Sequence, residues 1–330
     1  MKLIVRISAL TLAIIVTGAA IGQYDVRASD DNYLAAVLEK DRLIRNTPSP
    51  KIILVGGSNL AFGIDSRMMQ DSLAMRVVNM GLYAKLGLRY MLAQVRPYIR
   101  EGDIVLVVPE YDQFYGSFAD GDNTLNTALL YAPADRIGDF VRAYSVIDVV
   151  LRPRVENVRR SFMQAAASAL GVKDRYFPPD TNPVYNRRSF NQLGDVVTHL
   201  EREGKDPDSL YVGALPPHAN FNERVLDDLN AVDEVARERG ARSFFLFPSY
   251  LDSAYTVNAA AIDSLQRELA RGTAMAVIGK PADFVFPGAL FFDTRYHLNK
   301  RGRELRTVKM IETIRGRIGY TVAPAPQELR

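Results

Sequence analysis

Short apolar runs alternate with amphipathic segments along much of this chain. Ile52 to Val55 is an apolar run that ends in Gly56-Gly57-Ser58, and Ile104 to Val108 is apolar throughout. A run without polar alternation is typical of a strand that is buried on both faces of a parallel sheet. Segments with helical spacing, Leu60 to Asp71 and Leu86 to Ile99, lie between these runs and predict helices.

The same alternation continues to the C-terminus. A short second strand is predicted over Arg76 to Asn79. Later strands and helices are predicted over Ser243 to Phe247, Ala274 to Ile278, 222–239, Val257 to Arg271 and Lys300 to Ile318. Strands that alternate with helices favour an α/β fold, a doubly wound sheet of about five parallel strands flanked by helices.

A different pattern occupies the middle of the chain. Aromatic residues are scattered there among proline, asparagine and arginine, Asp139 to Ala169 is predicted to form two helices, and Tyr176 to Ser189 is typical of a loop. We therefore predict one α/β domain over residues 29–330, with a helical and loop insertion at about 112–227. Arg187 and Arg188 with nearby aromatics would suit an anionic sugar polymer. The alternative is a cap packed by its own tyrosine and phenylalanine side chains.

The N-terminus has the pattern of an export signal. Lys2 and Arg6 begin the chain, and the run from Ile7 to Gly22 contains no charge. This predicts a signal peptide or an N-terminal membrane anchor over residues 1–28. The basic end would stay in the cytoplasm. The remainder is therefore expected to be exported, either periplasmic or anchored in the inner membrane and facing the periplasm.

Composition excludes several classes of function. The chain has 330 residues, a net charge of +3 and no cysteine, which excludes disulfides, thiolate catalysis and cysteine-ligated zinc. No arginine-rich block with interleaved aromatics is present, so a nucleic-acid partner is not expected. No histidine and aspartate pair has metal-ligand spacing on a helix, apart from the pair described below. We therefore predict neither a metal nor another cofactor.

Ser58 is the first candidate for chemistry. A serine at a sharp strand-to-helix turn lies at the carboxyl edge of the sheet, where ligands of open α/β sheets bind. The amides at the start of the following helix favour negative charge. The alternative is a tight loop in which Ser58 only caps the helix. The spacing fits neither a P-loop nor a dinucleotide-binding motif, because Gly63 is followed by Ile64 and no G-x-G-x-x-G is present.

A serine nucleophile needs a base, and histidine is the usual one at neutral pH. The chain has three histidines. The pattern places His199 on a solvated helix face and His218 in a proline loop. His297 follows Asp293 by four residues, just before the last predicted helix, and Asp293 could hold its tautomer. The alternative is that His297 is a surface or helix-capping residue.

Three short blocks together resemble the SGNH/GDSL hydrolase superfamily. They are Gly57-Ser58 with Gly63, Asn79-Met80-Gly81-Leu82, and Asp293 to His297 with Leu298-Asn299. The Gly-Gly-Ser-Asn opening and the Tyr-His-Leu-Asn ending resemble periplasmic or membrane-anchored SGNH proteins that acylate or deacylate exported polysaccharides and cell-wall polymers. The resemblance implies a flavodoxin-like sheet, Ser58 as nucleophile, Asp293 and His297 as acid and base, and the amides of Ser58 and Gly81 as oxyanion donors.

Two features depart from that family. Its third block usually offers an asparagine as an oxyanion donor, whereas Glu110 or Tyr111 occupies this region, and an ionised carboxylate cannot donate. The oxyanion hole would then rest on the two amides alone, or be completed by Tyr111 or Gln113. The interval from Asp293 to His297 is four residues instead of three, so either the loop absorbs the extra residue or the acid lies elsewhere.

These patterns lead to two functional hypotheses. The first is serine-dependent ester hydrolysis, or O-acyl (acetyl) transfer, on an exported polysaccharide through an acyl-enzyme on Ser58. An acylated polysaccharide or other ester would be the substrate, and a membrane acyl-donor protein would be a partner in transfer. The alternative is a catalytically weak or inactive module that binds polysaccharide or scaffolds an export or acylation complex. Candidate substrate-binding residues are Asn59, Glu110, Arg187, Arg188 and Arg295.

Overall fold

The computed structural model describes residues 31–173 and 182–318 of the chain. The predicted signal peptide or anchor over residues 1–28 lies outside the described residues, as does the first part of the predicted loop, up to residue 181. None of the helices in the described ranges is long and apolar enough to cross a membrane.

Parallel strands dominate the described β-structure. The strands are β1 (Lys51–Gly56), β2 (Arg76–Asn79), β3 (Ile104–Val108), β4 (Arg242–Phe245), β5 (Tyr250–Leu251), β6 (Ala276–Val277) and β7 (Val285–Phe286). Five of them form the main sheet in the order β2-β1-β3-β4-β6, and β5 pairs with β7 in a separate small sheet. Every residue of β1 and β3 is buried, as their uninterrupted apolar runs predict.

Helices connect these strands. The α-helices of the described ranges are α1 (Val37–Asn46), α2 (Ser58–Gly63), α3 (Ser66–Leu73), α4 (Leu88–Val95), α5 (Asn123–Tyr131), α6 (Ile137–Ala143), α7 (Arg152–Ala169), α8 (Arg224–Glu238), α9 (Asp252–Gly272) and α10 (Lys300–Ile318). The predicted doubly wound α/β fold is therefore confirmed. The last helix has the predicted bounds.

One predicted helix and two predicted strands differ in detail. The single helix predicted over Leu60 to Asp71 is two helices, α2 and α3, because Ile64 and Asp65 adopt extended backbone between them. The Asp65 side chain accepts a hydrogen bond from Met68 N at 3.0 Å and so caps the second helix. The strands β4 and β6 are shorter than predicted. Beyond them, only single backbone bonds continue, such as Leu246 N to Val107 O at 2.9 Å.

Residue contacts divide the chain into two compact units. Among the described residues, the first unit contains 31–38, 122–173 and 182–189, and the second contains 39–121 and 190–318, including the main sheet. Within the interval predicted as an insertion, residues 122–173 and 182–189 therefore group with residues 31–38, whereas residues 112–121 and 190–227 group with the sheet. In the first unit α5 packs against α7, and a π-helical turn over Ile147–Leu151 precedes α7.

Candidate active site

The turn after β1 places Ser58 at the carboxyl edge of the sheet, as the first residue of α2. Both preceding glycines are required by close approaches. A Cβ on Gly56 would lie 2.3 Å from the backbone oxygen of Val108, and one on Gly57 would lie 2.7 Å from Glu110 Oε1. The Gly-Gly pair therefore lets β1 run tightly beside β3 and leaves room for a carboxyl group next to the serine.

Glu110 is the hydrogen-bond partner of Ser58. Ser58 Oγ donates to Glu110 Oε1 at 2.9 Å, and Asn59 N donates to the same oxygen at 2.9 Å. The Gly57 N-cap offers no side chain, so the Glu110 carboxyl group caps α2 from the end of the neighbouring strand. Glu110, expected from the sequence to lie in the oxyanion-donor region or to bind substrate, contacts the candidate nucleophile directly.

The electrostatic surroundings of Glu110 favour its neutral form. Its side chain is buried, and burial raises the pKa of the carboxyl group. His297 and the hydrogen bonds from Asn59 and Ser58 act in the opposite direction, while the nearby Asp112 adds to the increase. The carboxyl group therefore holds its proton to a higher pH than an exposed glutamate does.

His297 and Asp293 form a hydrogen-bonded pair despite their four-residue interval. His297 Nδ1 lies 2.8 Å from Asp293 Oδ1. Thr294 Oγ1 accepts a hydrogen bond from His297 N at 3.1 Å, so the loop folds back and absorbs the extra residue. The His297 ring stacks on Phe62, with ring centroids 4.1 Å apart and planes within 6°. Phe62 belongs to α2, the helix that begins at Ser58.

The predicted oxyanion donor Gly81 is already engaged. Its amide donates to Asn79 Oδ1 at 2.9 Å, and Asn79 Nδ2 donates to Leu60 O and Asp195 Oδ1, both at 2.9 Å. A Cβ on Gly81 would lie 2.6 Å from Leu60 Cβ. Gly81 is therefore needed for the close packing of its turn on α2, while its N–H is taken by the neighbouring asparagine.

The two side chains proposed to complete the oxyanion hole lie differently. Gln113 Oε1 accepts from Glu110 N at 3.0 Å and its Nε2 donates to Ala84 O at 3.1 Å, so both ends hold the backbone. Tyr111 is buried, its hydroxyl has no hydrogen-bond partner among the described residues, and its ring lies edge-on to Tyr250. Both polar ends of Gln113 are therefore engaged with backbone, whereas the Tyr111 hydroxyl is not.

Asn59 and Arg306 form a buried brace under the turn. Arg306 Nη1 donates to Asn59 O at 2.5 Å and Nη2 donates to Asn59 Oδ1 at 2.8 Å, while Asn59 Nδ2 donates to Val108 O at 3.0 Å. Burial lowers the pKa of Arg306 to about 9, with Glu110 opposing the shift. Asn59, expected to bind substrate, is thus fully used in structure. Arg306 carries no distinguishing sequence signal, because it is one of several arginines in a basic helix.

A second buried network supports the end of β2. Asp195, which is fully buried, accepts from Arg303 Nη2 at 3.0 Å, from Ser66 Oγ at 2.5 Å and from Asn79 Nδ2 at 2.9 Å. Lys40 Nζ donates to Asn79 O at 2.7 Å, and burial lowers the pKa of Lys40 to about 7. Asn79 is therefore fixed from several sides, and it in turn fixes the Gly81 amide.

The predicted substrate-binding arginines have structural partners. Arg295 Nη2 bonds both carboxylate oxygens of Asp112, at 2.8 and 3.0 Å, and Nη1 donates to Gly213 O at 2.6 Å. Tyr296 OH donates to Asp112 Oδ2 at 2.7 Å and accepts from Tyr111 N at 3.1 Å. This cluster fastens the loop of the His–Asp pair to the end of β3.

The other predicted arginines, Arg187 and Arg188, lie in the first unit, where Arg188 Nε pairs with Asp31 Oδ1 at 2.9 Å.

The prediction for His199 is wrong. It is fully buried and lies outside the helices, and its Nε2 lies 3.1 Å from Leu298 O. Burial lowers its pKa to about 4, so the ring is neutral at physiological pH. The prediction was based on the short periodic stretch around His199. Local spacing does not show that Phe62 and Phe292 pack against the His199 ring in the folded protein.

Among the described residues, no group of three histidine, cysteine, aspartate or glutamate side chains could hold a metal ion. No protein-family model matches the chain, and no curated protein matches it.

Proposed function

We propose that this protein is a serine esterase or O-acyltransferase of the SGNH/GDSL type. The observation that carries the proposal is the hydrogen-bonded His297–Asp293 pair, stacked on the helix that begins at Ser58. A nucleophile at a helix N-terminus, a histidine and an orienting carboxylate are the parts that acyl transfer needs. Ser58 follows β1, and Asp293 and His297 follow in that order in the loop before α10, as the resemblance implies.

The proposed reaction proceeds through an acyl-enzyme. Ser58 Oγ attacks the ester carbonyl carbon while His297 accepts the hydroxyl proton, and Asp293 holds the tautomer and stabilises the charged ring. The ester C–O bond then breaks, and His297 returns the proton to the leaving alkoxide. Water or a sugar hydroxyl attacks the acyl-Ser58 ester in the second half, giving hydrolysis or transfer and restoring the serine.

Glu110 is proposed to act in this reaction as a neutral carboxylic acid. Ser58 Oγ and Asn59 N donate to one of its oxygens, which leaves the other oxygen to carry the proton. A protonated carboxyl group donates a hydrogen bond, so Glu110 can stabilise the developing oxyanion in place of a side-chain amide. For the reaction to start, Ser58 must pass its proton to His297 instead of keeping it on Glu110.

The substrate and location follow from the resemblance and the N-terminal pattern. We propose an acylated exported polysaccharide, or another ester, as the substrate, with a membrane acyl-donor protein as a partner if the reaction is transfer. We also propose that the chain is exported, either free in the periplasm or held by residues 1–28 in the inner membrane.

A specific observation favours a second candidate, a weak or inactive module that binds polysaccharide or scaffolds an acylation complex. Glu110 occupies the anion position at the start of α2, and the Gly81 amide is bound to Asn79. An ionised Glu110 would repel an oxyanion at this position. The protonation state of Glu110 therefore separates the two candidates.

The test compares p-nitrophenyl acetate hydrolysis by the full-length protein in detergent with that of Ser58→Ala and His297→Ala. Loss of either residue should lower the rate by about 10⁴ if the residues act as a unit. Labelling of Ser58 by a fluorophosphonate, absent in Ser58→Ala, is the matched measurement of nucleophilicity. Equal background rates together with no labelling of the wild type would reject the enzyme in favour of the binding module.

A further inference from the structure

The long helix of the first unit exposes its apolar side chains. Phe162 is 74% exposed and Leu170, just after α7, is 77% exposed. Further large apolar side chains that are about half exposed lie along the same stretch: Val146, Ile147, Leu151, Val155 and Met163. Single exposed apolar residues are common, but a contiguous row of this length marks an interaction surface.

The burial pattern of α7 is inverted relative to an ordinary helix of a globular protein. The residues that α7 buries are Pro153, Asn157 and Ala167. At about 100° per residue, Val155 and Phe162 lie nearly opposite Asn157. A helix that only had to pack within this unit would turn its apolar face inward. Its most apolar face instead points to solvent.

Arginine side chains lie beside the row that contains Val155 and Phe162. On a helical projection, Arg154 lies on one side of this row, and Arg152 and Arg159 lie on the other side, between the row and Met163. Arg152 pairs with Asp148 at 3.0 Å and Arg159 pairs with Glu156 at 2.8 Å. Residues 147–173 contain five basic and two acidic residues. An apolar stripe between arginines is the arrangement of helices that lie in the interface of an anionic membrane, where the arginine stems reach toward the headgroups.

We propose that the exposed apolar face of α7 and the preceding π-helical turn lies on the surface of an anionic membrane. We call this surface, from Ile147 to Leu170, the α7 face. Apolar burial would hold it at the boundary between headgroups and acyl chains, and the flanking arginines would favour anionic lipid. The inference is independent of the proposed reaction, because none of these residues belongs to the candidate active site.

The course of the chain favours a membrane over a second copy of the protein. The apolar run of the N-terminus ends at Gly22, and only eight residues separate it from Asp31. Eight residues span at most about 29 Å. The turn Tyr33–Ala36 packs against α5 in the same compact unit as α7. If the N-terminal run inserts, the unit that carries the α7 face is therefore held near the bilayer. The surplus of positive charge would also oppose pairing of two identical faces.

The absence of tryptophan from the chain makes a direct test possible. A Phe162→Trp variant of the full-length protein introduces a single fluorescent probe at a side chain that is already exposed. It would be mixed with vesicles of phosphatidylcholine and phosphatidylglycerol, with or without brominated acyl chains. A helix seated about 5–10 Å into the interface brings the indole close to the bromines, and we expect emission to fall roughly twofold.

Arg160→Trp is the matched control. Arg160 is exposed on the same helix two residues earlier, so its side chain points about 200° away from Phe162. Quenching of the Phe162→Trp probe without quenching of the Arg160→Trp probe supports the proposal. Equal quenching of both probes, or quenching of neither, overturns it.

Two further readings separate the alternatives. Blue-shifted emission of the Phe162→Trp probe without vesicles, insensitive to brominated lipid, would show that protein covers the face and would overturn the proposal. Weaker quenching when phosphatidylglycerol is replaced by phosphatidylcholine is expected from the arginine borders. Unchanged quenching would overturn the preference for anionic lipid.

Discussion

The carboxyl edge of the sheet and the α7 face distribute polar and apolar groups in opposite ways. At the sheet edge, charged side chains such as Glu110, Arg306 and Asp195 are buried, and each has hydrogen-bond partners. On α7, Phe162 and Leu170 face solvent while Asn157 is buried. A buried charge is costly unless it is paired, and an exposed apolar row is costly unless something covers it.

This difference indicates two kinds of function. At the sheet edge, the buried polar groups form hydrogen bonds with other groups of the protein. These contacts fix the positions of the Ser58 turn and of the His297 loop. The α7 face exposes its apolar side chains, and we propose that a membrane surface covers them. Mutations at the sheet edge should therefore change catalytic geometry and protonation. Mutations on the α7 face should change association with another surface.

The largest effect is expected from Asp293→Asn. If Asp293 orients His297 through the 2.8 Å contact, the variant should lose about 10⁴ in kcat because an amide favours the wrong histidine tautomer. Esterase kinetics measure this loss, and fluorophosphonate labelling measures the nucleophilicity of Ser58. Asp252→Asn, an exposed aspartate on α9, is the control and should keep full activity. Unchanged kcat in Asp293→Asn would show that another acid fills this role.

Substitution of Glu110 should give the next largest loss of activity. The sign of the pH dependence of activity also follows from the raised pKa of Glu110. Since burial raises its pKa, activity that needs the neutral acid falls as the pH rises through that pKa. The charged or titratable groups that influence it are His297, Asp112, Arg306 and Tyr296. Glu110→Ala should lose about 10²–10³ in kcat through the missing donor.

Glu110→Gln is the diagnostic companion variant. Its amide donates at every pH, so activity should be retained and the fall at high pH should disappear. Full pH profiles of kcat for the wild type and both variants measure this. If Glu110→Gln is as inactive as Glu110→Ala, the carboxyl group is required as such and its role as a neutral donor is wrong.

Arg306→Met tests the buried brace. The substitution leaves two oxygens of Asn59 without their donors, and we expect a loss of about 2–4 kcal/mol in the free energy of unfolding. Arg301→Met, at an exposed position on the same helix, should change stability by less than about 0.5 kcal/mol. Denaturant unfolding measures both. Equal stabilities would mean that Asn59 finds other donors.

The smallest effect on stability is expected on the α7 face. Phe162→Ser should change the free energy of unfolding by less than about 0.5 kcal/mol, because the ring is 74% exposed. Phe62→Ala, a fully buried phenylalanine under His297, should cost about 3–5 kcal/mol. Thermal or denaturant unfolding in detergent measures both. A large loss in Phe162→Ser would show that the ring packs within the protein.

Much of the fold was predictable because, at the centre of the sheet, the apolar runs of the sequence are the strands that are buried on both faces. The apolar runs of β1 and β3 and the last helix match the structure within a residue or are identical to it. The short edge strand β6 and the split between α2 and α3 were less predictable, because pairing partners and a capping aspartate decide their ends.

The sequence by itself determined that Ser58 follows a strand and begins a helix, and that Asp293 and His297 precede the last helix. Such features depend on neighbours along the chain. Only the tertiary structure decided that Glu110 meets Ser58, that Asn79 takes the Gly81 amide and that Arg306 holds Asn59. These contacts join residues far apart in sequence, and the parallel order of the strands creates them by bringing their carboxyl ends to one edge.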